Sequence, residues 1–110
     1  MPHSVQKLLL DIKLSCEEIT DFIADTSLNE FQEHRMLQLA IEREFEIIGE
    51  ALSRLARIEE DQLAQKIPEY QKIISFRNII AHGYDIVDEV AMWDFAKNRV
   101  PELLKRVESY

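Results

Sequence analysis

Turn-forming residues are scarce in this chain, with 2 glycines and 3 prolines among 110 residues. So few breakers leave little material for the tight turns that join many short strands, which favours a few long helices. The single cysteine, Cys16, rules out an internal disulfide. Charges interrupt every apolar run before it reaches the length needed to span a bilayer. The opening MPHSVQKLLLDIKLSC lacks a basic leader followed by an unbroken apolar stretch, so no secretory signal is visible. These absences make a cytoplasmic protein without membrane association the expectation. Positive charge is scarce as well. Lys and Arg number 13 against 21 Asp and Glu, a formal net charge of −8. That opposes general, non-specific nucleic-acid binding, because phosphate affinity comes mainly from neutralising basic groups. It leaves room for a local basic cleft or a basic partner. No His and carboxylate cluster has zinc spacing and no Gly-rich phosphate loop occurs, so neither metal nor cofactor is expected.

What is present suits one globular domain over residues 1–110, with hydrophobic residues at 46% and charged ones at 31%. Val5, Leu8, Leu9, Ile12, Cys16, Ile19, Phe22 and Ile23 recur at spacings of three and four, which predicts an amphipathic helix with Cys16 as a core thiol. Thr26, Ser27 and Asn29 form a polar break able to cap a second helix, expected from Leu28 to Arg57. Gly49 interrupts that helix at a cost of about 1 kcal/mol relative to Ala, acceptable where another helix must approach closely. A looser region, Glu59 to Ile67, leads to Pro68 at the first turn of a third helix, expected over Glu69 to His82 and stopped by Gly83. Asp85 to Asp88 offer caps for a fourth helix carrying Val90, Trp93, Val100, Leu104 and Val107, bent at Pro101. The expected fold is all-α, an antiparallel bundle of four main helices with room for a short fifth.

Two charges break the pattern. At about 100° per residue, Ile73, Ile74, Ile80 and Ala81 all lie within roughly 60° of Arg77, with Tyr70 and Tyr84 nearly in line with it. Glu44 sits in a similar apolar setting among Leu37, Ala40, Ile41, Ile47, Ile48 and Ala51. Buried charges are usually paired, so either Glu44 and Arg77 form a buried ion pair or both faces border a polar pocket or a subunit interface. His82 follows Arg77 by five residues, which places it roughly 140° away around a regular helix. Either the helix loosens at its Gly83 end, or the arginine and histidine that cooperate come from different subunits. Cys16 aside, the other chemically active residues His3 and His34 have no supporting neighbours and read as surface positions.

Arginine offers a permanent charge and a planar fork suited to phosphate, and histidine exchanges protons near neutral pH. Together they suffice for metal-independent RNA cleavage: His82 deprotonates a ribose 2′-OH or protonates the leaving 5′-oxygen while Arg77 stabilises the pentavalent phosphate. Asn78 can orient the phosphate or the imidazole, and Tyr84 can donate a hydrogen bond or be modified.

The octet RNIIAHGY, residues 77–84, resembles the R-x-x-x-x-H-x-Y signature of HepT-like toxins in the HEPN superfamily of all-helical ribonucleases. IIGEAL at 47–52 is similar to the I-G-E-A segment of that family's second helix. The stretch from Ile67 to Leu104 resembles its proline-started helix, signature and acidic-then-Trp helix, although Tyr70 stands where a tryptophan nearer Pro68 is expected. The resemblance implies a helical bundle that dimerises and brings two signature segments to one cleft. It implies Arg77 and His82 as catalytic, Asn78 as supportive, and Tyr84 as the tyrosine to which a partner nucleotidyltransferase antitoxin transfers AMP. The alternative is a non-catalytic interaction or nucleotide-binding subunit that docks a nucleotidyltransferase, a reading the acidic charge favours.

Overall fold

The computed structural model describes the backbone of residues 3–82 and 88–110, and the side chains of 4–78 and 88–110. Among the described residues all regular structure is helical. Helix α1 (His3–Ile23) is followed by α2 (Leu28–Glu33), α3 (Arg35–Lys66), α4 (Tyr70–His82), α5 (Glu89–Asp94) and α6 (Val100–Glu108). Helix α1 packs between α3 and α6, and α4 lies on the other side of α3. The link from α3 to α4 is only residues 67–69, too short for anything but antiparallel neighbours. No described helix is long and apolar enough to cross a membrane.

The period read along α1 is largely the one that is buried, with Val5, Ile12, Cys16 and Ile19 wholly inaccessible, but Phe22, expected on the same face, is exposed. Burial pushes the Cys16 thiol up to about 12, with Glu17 and Glu44 adding to the shift, so it stays protonated and acts as an apolar filler.

The expected second helix is divided. Ser27 caps α2 through a full capping box, its Oγ accepting from the Glu30 amide while Glu30 Oε1 accepts from the Ser27 amide. The chain then breaks at His34, whose Nδ1 accepts from the Leu37 amide and so caps α3. Buried Gln38 spans the break, its Nε2 donating to the Phe31 carbonyl at 2.9 Å and the Gln32 carbonyl at 3.1 Å. The Phe31 carbonyl also accepts the His34 amide, so Gln38 adds a second donor there and supplies one to the Gln32 carbonyl at the end of α2. Beyond Arg57 the expected looser region is helical to Lys66, because Leu63 and Ile67 anchor it in the core with no exposed surface. Its looseness is confined to one non-helical residue, Glu59, at φ −151 and ψ 64. Tyr110 Oη donates to the Glu59 carboxylate and Tyr70 Oη to that of Glu60, so both acidic residues at the kink are held from outside α3. Tyr70 is buried and plays a packing role.

Asp88 caps α5 through the Ala91 amide. Between α5 and α6 the bend expected from Pro101 takes the form of a π-helical turn, Phe95–Arg99. Proline has no amide hydrogen and its ring crowds the carbonyl four residues back, that of Lys97. Widening the preceding turn relieves that crowding, and the Val100 amide bonds back to the Phe95 carbonyl instead.

Candidate functional site

Arg77 is carried on α4, which packs against α3. Three phenylalanines fix the rotation of α4 there. Phe76 stacks on Phe95 with ring centroids 4.4 Å apart and an interplanar angle of 3°, and Phe45 of α3 meets both rings edge-on at 5.4 Å. The neighbouring residue, Arg77, is thereby laid across α3 directly over Gly49. A Cβ on Gly49 would sit 2.7 Å from both Cβ and Cγ of Arg77 and 2.8 Å from its Nε. The close approach expected at this glycine is therefore made by the stem of an arginine.

The guanidinium emerges at the edge of α3 and meets Glu50, whose Oε2 accepts from Arg77 Nη2 at 3.3 Å. The Arg77 side chain is 20% exposed and that of Glu50 is 48% exposed. Buried Arg77 Nε has no acceptor among the described residues. Glu50 Oε1 in turn accepts from Arg54 Nε at 2.9 Å and lies 4.0 Å from Arg57 Nη2. The hydrogen bond from Arg54 is the main reason the Glu50 carboxyl is held below the usual carboxylate range; burial opposes it, and the charges of Arg54, Arg77 and Arg57 add to the lowering.

Glu44 does not pair with Arg77. It is buried, 6% exposed, and its Oε1 accepts from Ser15 Oγ of α1 at 3.1 Å. Desolvation pushes its carboxyl upward, with nearby Glu18 adding to the rise and the Ser15 bond partly opposing it. The physical reason is angular. Six residues along a helix leave the side chain roughly 120° short of two whole turns, so Glu44 faces α1 where Glu50 faces α4. Periodicity identified Glu44 as a buried charge but not the helix it would meet. Glu50 escaped notice as Arg77's partner although it follows the glycine that permits the approach.

Asn78 is exposed, next to Arg77 on the outer side of α4. Helix α4 continues without interruption through His82, so positions 77 and 82 stand about 140° apart around it. The side chain of His82 and all of Gly83 and Tyr84 lie outside the described residues.

Glu50 also lines a cavity of about 230 Å³ between α1 and α3, shared with Leu8, Asp11, Arg43, Glu46, Ile47, Ala51 and Arg54. Lys7 and Arg57 line a second one adjoining it. Along this groove and Arg77 stand five basic side chains (Lys7, Arg43, Arg54, Arg57 and Arg77) against three acidic ones (Asp11, Glu46 and Glu50). In a chain with a net charge of −8, this local excess of positive charge is the place an anionic polymer would find attraction.

Comparison with known proteins identifies the family. The profile of a family described as ribonuclease HepT-like matches residues 12–110. A Methanocaldococcus jannaschii protein named "Putative RNase MJ1380" is 33% identical over 108 residues, covering 96% of this chain and 95% of that one. A Thermococcus cleftensis protein named "Probable ribonuclease HepT" is 29% identical over 108 residues, covering 98% of this chain and 96% of its own length. A Caldanaerobacter subterraneus protein named "Putative RNase TTE0752" is 30% identical over 93 residues, 84% of this chain and 81% of that one. No solved structure gives a significant match. With an all-helical fold among the described residues and a family match across nearly its whole length, the chain belongs to the HepT-like ribonuclease family of the HEPN superfamily.

Proposed function

We propose that the chain is a metal-independent endoribonuclease toxin that works as a homodimer and is silenced by a partner nucleotidyltransferase. The observation that carries this reading is Arg77: a guanidinium fixed over Gly49, one-fifth exposed, paired with a glutamate that lines a groove where, Arg77 included, five basic side chains stand against three acidic ones. A fixed cation on the surface is what a phosphodiester needs to gain charge in its transition state.

The proposed step is an in-line displacement at phosphorus. The ribose 2′-oxygen attacks, its proton leaving to an imidazole, and the 5′-oxygen departs carrying a proton from an acid. The products are a 2′,3′-cyclic phosphate and a 5′-hydroxyl. Arg77 binds the non-bridging oxygens, His82 moves the proton and Asn78 orients the phosphate. Since α4 is regular from Arg77 to His82, the two are best supplied by different subunits of a dimer with two-fold symmetry. AMP transfer to Tyr84, seven residues on from Arg77 in the chain, would add an anionic phosphate able to compete with RNA for that arginine.

Purified protein incubated with RNA and EDTA is expected to cut it, and His82→Ala to stop the cutting. Intact RNA in the presence of protein with unmodified Tyr84 would refute the reading. The overall charge of −8 favours one other reading, a non-catalytic or nucleotide-binding subunit docking a nucleotidyltransferase. Overexpression separates them: a toxin arrests growth and Arg77→Ala relieves the arrest, whereas a docking subunit leaves growth unchanged.

A further inference from the structure

We infer that Glu50 is the positioning residue for Arg77: it fixes the guanidinium in the orientation that receives phosphate, and is itself held in place by Arg54 and Arg57. The inference rests on Arg77 being the phosphate-binding group proposed above.

Three observations support it. The stem of Arg77 has a fixed bed, the bare backbone of Gly49, but a bed does not set the rotation of the head group. Among the described residues only Glu50 accepts from that head group, and Nε has no acceptor at all. Without Glu50 the long side chain would be free to swing at its outer bonds. The second observation is that Glu50 is more constrained than an exposed glutamate usually is. Its two oxygens are divided, Oε2 to Arg77 at 3.3 Å and Oε1 to Arg54 at 2.9 Å, with Arg57 at 4.0 Å from the same Oε1. A carboxylate gripped on one oxygen by a neighbour one turn along its own helix presents the other in a set direction. The third is the charge balance. Three guanidiniums surround one carboxylate, so the cluster stays net positive and Arg77 remains able to take an anion. A lone Glu50–Arg77 pair would neutralise the group needed for binding.

A positioning role and a merely electrostatic one predict opposite kinetics. Removing a carboxylate near an RNA path would, on charge alone, strengthen binding and raise kcat/KM. Loss of positioning lowers kcat instead, because a misplacement of about 1 Å costs on the order of 100-fold in rate. Glu50→Ala is therefore expected to lower kcat by about 100-fold, with KM for RNA unchanged or reduced. Glu50→Gln, which keeps an acceptor for Nη2, is expected to lose less. Unchanged circular dichroism and thermal midpoint establish that both variants are folded, as the exposure of Glu50 leads one to expect. A folded Glu50→Ala protein with undiminished kcat would overturn the inference.

A second readout needs no activity. In nitrogen-15 spectra of the wild-type protein the Arg77 guanidinium, assigned by its loss in Arg77→Lys, should show separate Nη signals from restricted rotation. In Glu50→Ala these should merge. Arg77 signals that do not change in Glu50→Ala would refute the positioning role. Merged signals in a protein whose wild type leaves RNA intact would uphold Glu50's hold on Arg77 while refuting the ribonuclease reading.

Discussion

Replacing Gly49 with alanine tests the link between fold and site at its narrowest point. The added methyl would meet Arg77 Cβ and Cγ at 2.7 Å and Nε at 2.8 Å. Carbon atoms in contact prefer about 3.5–4.0 Å, so roughly 1 Å must be found by moving α4 or by turning the Arg77 stem. On propensity alone, alanine in a helix interior is favoured over glycine by about 1 kcal/mol. Forcing an atom into a packed contact costs about 1–3 kcal/mol. The contact wins or draws, and the expected net change is a destabilisation of about 0–2 kcal/mol, about 1 kcal/mol at the middle of the range. For a domain of this size that corresponds to a thermal midpoint lowered by roughly 4 °C. The effect on activity should be far larger, about 100-fold, because the shift falls on Arg77, the group proposed to bind phosphate. Thermal unfolding followed by circular dichroism gives the first quantity and initial rates of RNA cleavage give the second. A Gly49→Ala protein that melts higher than wild type and cuts RNA at the wild-type rate would refute the account of why a glycine stands there.

Two further substitutions probe the frame around the site. Glu44 has its carboxyl pushed upward by burial, so its ionised form is the one the fold disfavours. Its cost is present above the folded-state pKa and disappears as pH falls through the window between that value and the ordinary value of 4.5. Glu44→Gln, which keeps an acceptor for Ser15, should therefore raise the thermal midpoint at pH 7 and lose that advantage near pH 4; a lowered midpoint at pH 7 would show that the ionised group is needed. Gln38→Ala removes both side-chain bonds that bridge the break between α2 and α3. Leaving the Gln32 carbonyl without its side-chain donor, and the Phe31 carbonyl with the His34 amide alone, should cost about 1–3 kcal/mol, read as a lower urea midpoint, and an unchanged midpoint would mean that water replaces the lost bonds equally well.

How far the sequence could be read depended on which physical signal each feature leaves. The apolar period of α1 and the serine cap before α2 are local patterns, and both stand in the structure as expected. Gly49 was legible as a close approach because glycine inside a long helix has few other reasons to be there. The break at His34 was not, since the capping atom is a histidine ring nitrogen and the bridging residue, Gln38, looks like any polar interruption of an apolar stripe. The continuation of α3 past Glu59 was missed for the opposite reason. Its run of acidic residues reads as loop, while the two tyrosines that hold the kink come from distant parts of the chain. The same limit explains Arg77. Its anomalous position on an apolar face is visible in one dimension, but which carboxylate meets it depends on how α4 lies against α3. That choice falls to Glu50 through packing of Phe45, Phe76 and Phe95. His82 and Tyr84 remain expectations from the motif.

The central claim is that Arg77 and His82 cut RNA together, each from a different copy of the chain. Mixing Arg77→Ala and His82→Ala subunits, each inactive alone, and measuring RNA cleavage in EDTA tests it directly. Random pairing in a two-fold dimer gives one intact composite site in half of the dimers, so the mixture should recover up to about a quarter of wild-type activity. A wild-type protein that cuts while the mixture stays inactive would show that both residues must act from one chain, and a wild-type protein that leaves RNA intact would contradict the claim altogether.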